Sequence, residues 1–193
     1  MEVRIGSLLE GATQARGAVA IIDVFRAFTT AAVVLANGAS RITMVGSVEE
    51  ALALRDSGGG DVCMGEVGGR MPAGFDFGNS PFEVSGVDFR GRSIIQRTSA
   101  GTQGIVAATG AERLYASALV TARATARALR SGGAGGITLV AMGNATTYPE
   151  PAHAFPDLPN NHLSYTITWF SLALVNVVIF LLSSRKRLLE RSV

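Results

Sequence analysis

Short apolar runs alternate with segments of helical periodicity along residues 1–152. The run Ala18–Val24 (AVAIIDV) is typical of a strand buried on both faces, and Thr29–Asn37 continues with helical spacing until Gly38 stops it. The same criteria predict further strands and helices, with strands at Ile42–Val45, Asp61–Met64, Ser93–Gln96, Arg113–Ser117 and Ile137–Met142 and helices at Thr102–Thr109 and Val120–Arg130.

Capping boxes mark the starts of two more helices. In Ser47-Val48-Glu49-Glu50 the serine stands at the N-cap and a glutamate follows three residues later. Ser80-Pro81-Phe82-Glu83 has the same spacing and places a proline at the first helical position, where its missing N–H costs nothing. Helices are therefore predicted to begin directly after Ser47 and Ser80.

This alternation predicts an α/β fold: a three-layer α/β/α domain with a largely parallel sheet, mixed pairing being left open. Ligands of such sheets bind at the carboxyl ends of the strands. Polar residues follow the predicted strands at that edge, namely Asp23 and Arg26 after the first, Glu66 after the third, and Thr98 and Ser99 after the fourth. Carboxylates suit Mg²⁺ and a guanidinium suits phosphate, so this edge predicts a site for a divalent cation and a phosphate.

A long irregular segment, residues 65–80 (GEVGGRMPAGFDFGNS), separates the third strand from the helix at Ser80. Loops of that length inside a domain are usually functional or disordered. The aromatic pair Phe75 and Phe77 around Asp76 argues against disorder. We therefore expect an active-site loop here.

The charge distribution and the single cysteine narrow the function classes. The formal net charge of +2 lies wholly in the tail after Pro156, and no cluster of basic residues precedes position 185, which argues against nucleic-acid binding. Cys63 excludes an internal disulfide framework and, inside an apolar strand, is expected to be a buried, unreactive thiol. With no secretory signal visible in Met1–Glu10, the domain is expected to be cytoplasmic.

The C-terminal part of the chain has a different character. Tyr165–Leu182 is uncharged and apolar, carries Trp169 near one end, and is followed by the basic cluster Arg185-Lys186-Arg187. Its length as a helix is about 27 Å, just enough to cross the hydrocarbon core of a bilayer. We therefore predict a domain at 1–152, a linker at 153–164, a transmembrane helix at 165–184 and a basic tail at 185–193, which makes the protein membrane-associated through one C-terminal helix.

The domain resembles the 2-phosphosulfolactate phosphatase (ComB) family. The resemblance rests on the order and spacing of three motifs over residues 1–152, which are Ile22-Asp23-Val24-Phe25-Arg26-Ala27-Phe28-Thr29-Thr30, Gly74-Phe75-Asp76-Phe77-Gly78-Asn79-Ser80-Pro81 after Gly65-Glu66, and Arg97-Thr98-Ser99-Ala100-Gly101-Thr102-Gln103-Gly104. It implies a Mg²⁺-dependent phosphoric monoester hydrolase that removes phosphate from 2-phospho-3-sulfolactate, a small phosphorylated acid, on a route to coenzyme M.

The same resemblance implies roles for individual residues. Asp23, Arg26 and Glu66 are the candidate catalytic residues, and Asp23, Glu66 and Asp76 are the candidate metal ligands. The candidates for binding substrate and its phosphate are Arg26, Asn79, Ser80, Thr98, Ser99, Gly101 and Thr102. The family's domain extends beyond the part that is similar here.

Residues 157–187 resemble the last transmembrane segment of the SURF1 family, which assists cytochrome c oxidase assembly. This resemblance rests on Pro159-Asn160-Asn161-His162-Leu163-Ser164-Tyr165 followed by Trp169-Phe170. Two unrelated resemblances that meet near His153–Pro156 predict a chimera of a shortened phosphatase domain and the end of a membrane protein.

Three functions remain open at this point. The first is a membrane-tethered hydrolase of the phosphosulfolactate phosphatase type. The second is a non-enzymatic SURF1-like membrane protein with a vestigial phosphatase-like body. The third is a module that binds a phosphorylated acid without hydrolysing it. The sequence leaves the oligomeric state open, a homo-oligomer included.

Overall fold

The computed structural model describes residues 2–24, 26–131 and 136–143 of the chain. Strands and helices alternate throughout this part of the chain. Their bounds are β1 (Glu2–Ser7), α1 (Leu8–Gln14), β2 (Gly17–Ile22), α2 (Ala27–Ala36), β3 (Arg41–Met44), α3 (Val48–Asp56), β4 (Val62–Gly65), α4 (Pro81–Val84), β5 (Ser93–Arg97), α5 (Gly101–Ala107), β6 (Ala111–Ser117), α6 (Ala122–Ser131) and β7 (Gly136–Ala141).

The described strands form two parallel sheets, which corrects the prediction of a single sheet. One sheet has the order β1-β7-β2-β6 and the other has the order β3-β5-β4. Every pairing between named strands is parallel, as expected for strands that alternate with helices. Helix α5 contacts β2 and β6 of the first sheet and β3 and β5 of the second. The two sheets therefore share a covering helix.

Separate hydrophobic clusters support the two sheets. Val19 and Ile21 of β2 pack with Phe28 of α2 in one cluster, which also contains Val140 of β7. The second sheet buries Met64 and Ile94 against Val34 of α2 and against Phe89. Because α2 contributes to both clusters, it holds the two sheets together from a second position.

The N-terminal strand and helix were not predicted from the sequence. Strand β1 is exposed along almost its whole length, with Ile5 at 82% exposure, although polar and apolar residues alternate over Glu2-Val3-Arg4-Ile5. It is nevertheless fixed by parallel pairing with β7, from Glu2 opposite Gly136 to Ser7 opposite Ala141. Backbone pairing rather than side-chain burial therefore places this strand.

Both predicted helix starts are present, but neither glutamate accepts from the N–H of its N-cap serine, since Glu50 accepts from Gly46 and Glu83 accepts from Gly78. The Ser47 hydroxyl accepts a hydrogen bond from the Glu50 N–H at 3.0 Å, and the Glu50 carboxylate accepts one from the N–H of Gly46. The glutamate thus reaches one residue further back than a standard capping box. Ser80 likewise accepts from the Glu83 N–H, but α4 is only four residues long.

No helix within residues 2–24, 26–131 and 136–143 is long and apolar enough to cross a membrane. The predicted transmembrane helix, 165–184, and the basic tail, 185–193, lie outside the described residues.

Candidate functional site

Asp23 lies at the carboxyl end of β2, where the sequence placed it. Its N–H donates to the Ser117 carbonyl at the end of the neighbouring strand β6, at 3.0 Å, and the residue is buried, with 7% exposure. Its carboxylate oxygen Oδ2 is 2.9 Å from the point that a Cβ at Gly101 would occupy. The absence of a side chain at Gly101 therefore lets this carboxylate lie directly against the turn that begins α5.

Glu66 joins the carboxyl ends of β4 and β5. Its Oε1 accepts a hydrogen bond from the Ser99 N–H at 2.6 Å, and its Oε2 accepts from the Ser99 hydroxyl at 3.0 Å and from the Gly69 N–H at 2.7 Å. The Ser99 hydroxyl oxygen in turn accepts from the Gly68 N–H at 2.9 Å. The Glu66 carboxylate and the Ser99 hydroxyl thus join the loop after β4 to the loop after β5.

These contacts determine the protonation state of Glu66. Burial alone would raise the pKa of its carboxyl, but the hydrogen bonds from Ser99 and Gly69, with the nearby Arg97 guanidinium, outweigh burial and lower the pKa overall. Glu66 is therefore an ionised acceptor at neutral pH. That state suits holding a loop in place better than donating a proton.

Thr98 and Thr102 form a closed pair at the start of α5. The Thr98 N–H donates to Thr102 Oγ1 at 2.8 Å, and the Thr102 N–H donates to Thr98 Oγ1 at 3.1 Å. Both residues are buried. This reciprocal bonding fixes the backbone between them, so Ser99, Ala100 and Gly101 are held in one conformation.

Arg26 precedes α2 with a backbone φ of +93°. A non-glycine residue in this region costs about 1–3 kcal/mol, and such strain concentrates at functional sites. The side chain is exposed, three residues along the chain from Asp23. The structure thus keeps a cationic side chain beside the carboxyl end of β2 at the expense of backbone strain.

The three predicted metal ligands are not gathered at one point. The described residues contain no group of three or more histidine, cysteine, aspartate or glutamate side chains that could hold a metal ion. The Asp76 carboxylate instead accepts a hydrogen bond from the Cys63 N–H at 2.8 Å, within β4, and lies 3.4 Å from an Arg55 nitrogen. The assignment of Asp23, Glu66 and Asp76 as metal ligands stays a prediction.

Asn79 and Ser80 lie on the segment that runs past the carboxyl end of β4. Phe77 pairs with Met64 in a parallel bridge, so the residues that follow Phe77 continue in the same direction as Gly65 and Glu66. Asn79 is buried, and its Oδ1 has no hydrogen-bond partner among the described residues. An amide in that condition is typical of a group that meets a ligand or water.

Sequence reasoning missed residues that hold these loops. The Arg97 guanidinium donates to the Glu66 carbonyl at 2.9 Å, and the Gln103 amide donates to the carbonyls of Thr98 and Gly46 at 3.0 and 2.9 Å. Both side chains serve backbone carbonyls of distant loops, and no local spacing signals such contacts. The turn that brings the Gly68 and Gly69 N–H groups to Ser99 and Glu66 did have a sequence signal, because a pair of glycines marks a tight turn.

The sequence is similar to a family of known proteins. Residues 6–150 match the family described as 2-phosphosulpholactate phosphatase. A protein of Carboxydothermus hydrogenoformans named "probable 2-phosphosulfolactate phosphatase" is 42% identical over 109 residues, which is 56% of this chain and 45% of the relative. A protein with the same name from Deinococcus radiodurans is 43% identical over 108 residues, which is 55% of this chain and 45% of the relative. Another from Thermus thermophilus is 40% identical over 114 residues, which is 58% of this chain and 47% of the relative.

The chain therefore spans about half the length of these curated relatives. The comparisons lend no support to the SURF1 resemblance of residues 157–187 or to a chimera, and both stay predictions. The family match, by contrast, spans residues 6–150 and includes every candidate site residue, so the chain belongs to the 2-phosphosulpholactate phosphatase family.

Proposed function

We propose that this chain is a phosphoric monoester hydrolase that removes phosphate from 2-phospho-3-sulfolactate or a similar small phosphorylated acid. The observation that carries the proposal is the position of Asp23, a buried carboxylate held against Gly101 at the turn that Thr98 and Thr102 fix. A carboxylate beside a rigid, hydroxyl-rich turn has the parts for reacting at a bound phosphate. The family match and the names of the relatives support the same chemistry.

In this proposal Asp23 is the catalytic carboxylate, which exchanges a proton with the reacting water or the leaving oxygen. Arg26 binds the phosphate, since a guanidinium pairs with phosphate oxygens in a bidentate manner. Asn79 and Ser80 meet the substrate from the β4 side. Glu66 acts by holding the Ser99 loop in place, because its oxygens already accept three hydrogen bonds from Ser99 and Gly69.

A requirement for Mg²⁺ remains a prediction. When bound, Mg²⁺ would neutralise phosphate charge, and it is usually held by one or two carboxylates together with substrate oxygens. Asp23 is the protein ligand that we propose for it. Its buried carboxylate lies at the carboxyl end of β2, against the turn that begins α5.

The proposal is tested by phosphate release from 2-phospho-3-sulfolactate, measured with the full chain in Mg²⁺ and in a chelator. Replacing Asp23 with Asn should reduce kcat by about 100-fold or more, the usual contribution of a positioned acid or base. Asp56→Asn is the matched control, because the Asp56 carboxylate is 77% exposed. Saturable binding of the substrate by a folded chain without any turnover would contradict hydrolysis and favour a binding module.

A further inference from the structure

The segment 74–77 lies along the outer edge of β4, on the side away from β5. The Gly65 N–H donates to the Phe77 carbonyl at 3.0 Å, and the N–H groups of Asp76 and Phe77 donate to the Cys63 carbonyl at 2.9 and 3.3 Å. An uncovered strand edge would leave these backbone groups without protein partners. The loop therefore acts as a partial fourth strand of the β3-β5-β4 sheet.

One backbone donor on this edge is met by a side chain. The Cys63 N–H donates to Asp76 Oδ2 at 2.8 Å, in the place where a neighbouring strand would offer a carbonyl. Arg55 holds the segment from outside: its guanidinium donates to the Gly74 carbonyl at 2.8 Å and lies 3.4 Å from the same Asp76 oxygen. The Asp76 carboxylate thus contacts the backbone of β4 and the guanidinium of Arg55 in α3.

We propose that Asp76 is a positioning residue that substitutes for a strand on the edge of β4, and that it is not a metal ligand. By fixing residues 74–77 in parallel with β4, it determines where Asn79 and Ser80 enter the site. This second step rests on the proposed function, because it assumes that those two residues meet the substrate. The first step, the edge contact itself, is independent of any activity.

Two substitutions separate the positioning role from a metal-binding role. Asp76→Asn keeps an oxygen that accepts from the Cys63 N–H and loses only the charge opposite Arg55, a partly exposed pair of small value. Asp76→Ala removes the acceptor. Asp56→Ala is the matched control, because the Asp56 carboxylate is also near Arg55, at 4.0 Å, and is 77% exposed.

The first readout is hydrogen exchange of the Cys63 amide, followed by NMR on the full chain. We expect Asp76→Ala to speed this exchange by about 10-fold or more, while Asp76→Asn and Asp56→Ala stay close to wild type. Equal acceleration by the asparagine and alanine variants, or no acceleration by either, would overturn the edge assignment.

The second readout is enzymatic and metal-dependent. Asp76→Ala should raise KM more than it lowers kcat, and Asp76→Asn should restore KM and retain the wild-type response of thermal unfolding to Mg²⁺. If the asparagine variant loses the Mg²⁺ response although Cys63 stays protected, Asp76 is a metal ligand and the proposal is wrong. If wild type releases no phosphate, the proposed function fails, and amide exchange alone decides the role of Asp76.

Discussion

Replacing Glu66 with Gln tests whether one carboxylate joins the loops after β4 and β5. The wild-type side chain accepts three hydrogen bonds, from the N–H and the hydroxyl of Ser99 and from the N–H of Gly69. Glutamine has the same shape but only one acceptor oxygen, and its NH₂ group is a donor. Whichever way the amide is turned, its nitrogen faces a main-chain N–H that then has no acceptor.

The magnitude follows from that conflict. A buried donor left without a partner costs about 1–3 kcal/mol, and the hydrogen bonds that remain lose the strengthening that a charged acceptor provides. For a chain of this size each kcal/mol lowers Tm by about 2–4 °C. We therefore expect Glu66→Gln to destabilise the protein by at least about 1 kcal/mol, although it keeps the number of heavy atoms in the side chain.

The assay is denaturant unfolding of the full chain at neutral pH in a chelator, with Glu112→Gln as the control. Glu112 undergoes the same chemical change on the exposed part of β6. The comparison is then repeated in acid. Because the folded pKa of Glu66 is lowered from 4.5, its contribution is complete above that value and disappears as the pH falls through the folded pKa.

The stability difference between wild type and Glu66→Gln should therefore be largest near neutral pH and shrink on acidification. If Glu66→Gln loses no more stability than Glu112→Gln at neutral pH, the contacts to Ser99 and Gly69 do not hold the loops in solution, and the positioning role of Glu66 is refuted.

Two further predictions concern the backbone at the end of β4 and its thiol. Gly65 has a φ of +140°, and a Cβ there would lie 1.7 Å from the Arg97 carbonyl oxygen. We therefore expect Gly65→Ala to lower the free energy of unfolding, measured in urea, by about 3 kcal/mol or more. Gly86→Ala is the control and should leave that free energy nearly unchanged, because there is open space around Gly86. Cys63 is buried, and burial raises the pKa of its thiol. A thiol reagent should therefore label the native protein slowly and the urea-unfolded protein fast. Fast labelling of the native protein would contradict the burial of β4.

Elements with a strong local signal could be predicted from the sequence. The predicted strand Ala18–Val24 corresponds to β2, with ends shifted by one or two residues, and α3 begins directly after Ser47, as predicted. Strand β1 was not predicted, although Glu2-Val3-Arg4-Ile5 alternates between polar and apolar residues, and its partner among the described strands, β7, is far away in the chain. The division into two sheets was also beyond prediction, because strand patterns do not encode which strands pair.

The candidate site was predicted at the level of residue types and strand ends. Asp23, Glu66, Thr98 and Ser99 do follow their strands, as parallel topology requires. What the sequence could not reveal is how each carboxylate is used. The family resemblance implies that Asp76 is a third metal ligand, and the contact with the Cys63 N–H becomes visible only with the fold.

The division into two sheets has a consequence for the order in which the site forms during synthesis. The β3-β5-β4 sheet and the Glu66–Ser99 contact use only residues 41–99, so they can form soon after that segment leaves the ribosome. Strand β2 emerges earlier, but among the described strands its partners are β6 and β7, the last two of them to be made. Asp23 therefore stays at the end of an unpaired strand until nearly the whole described chain has been synthesised, and only then can it reach its place in the site.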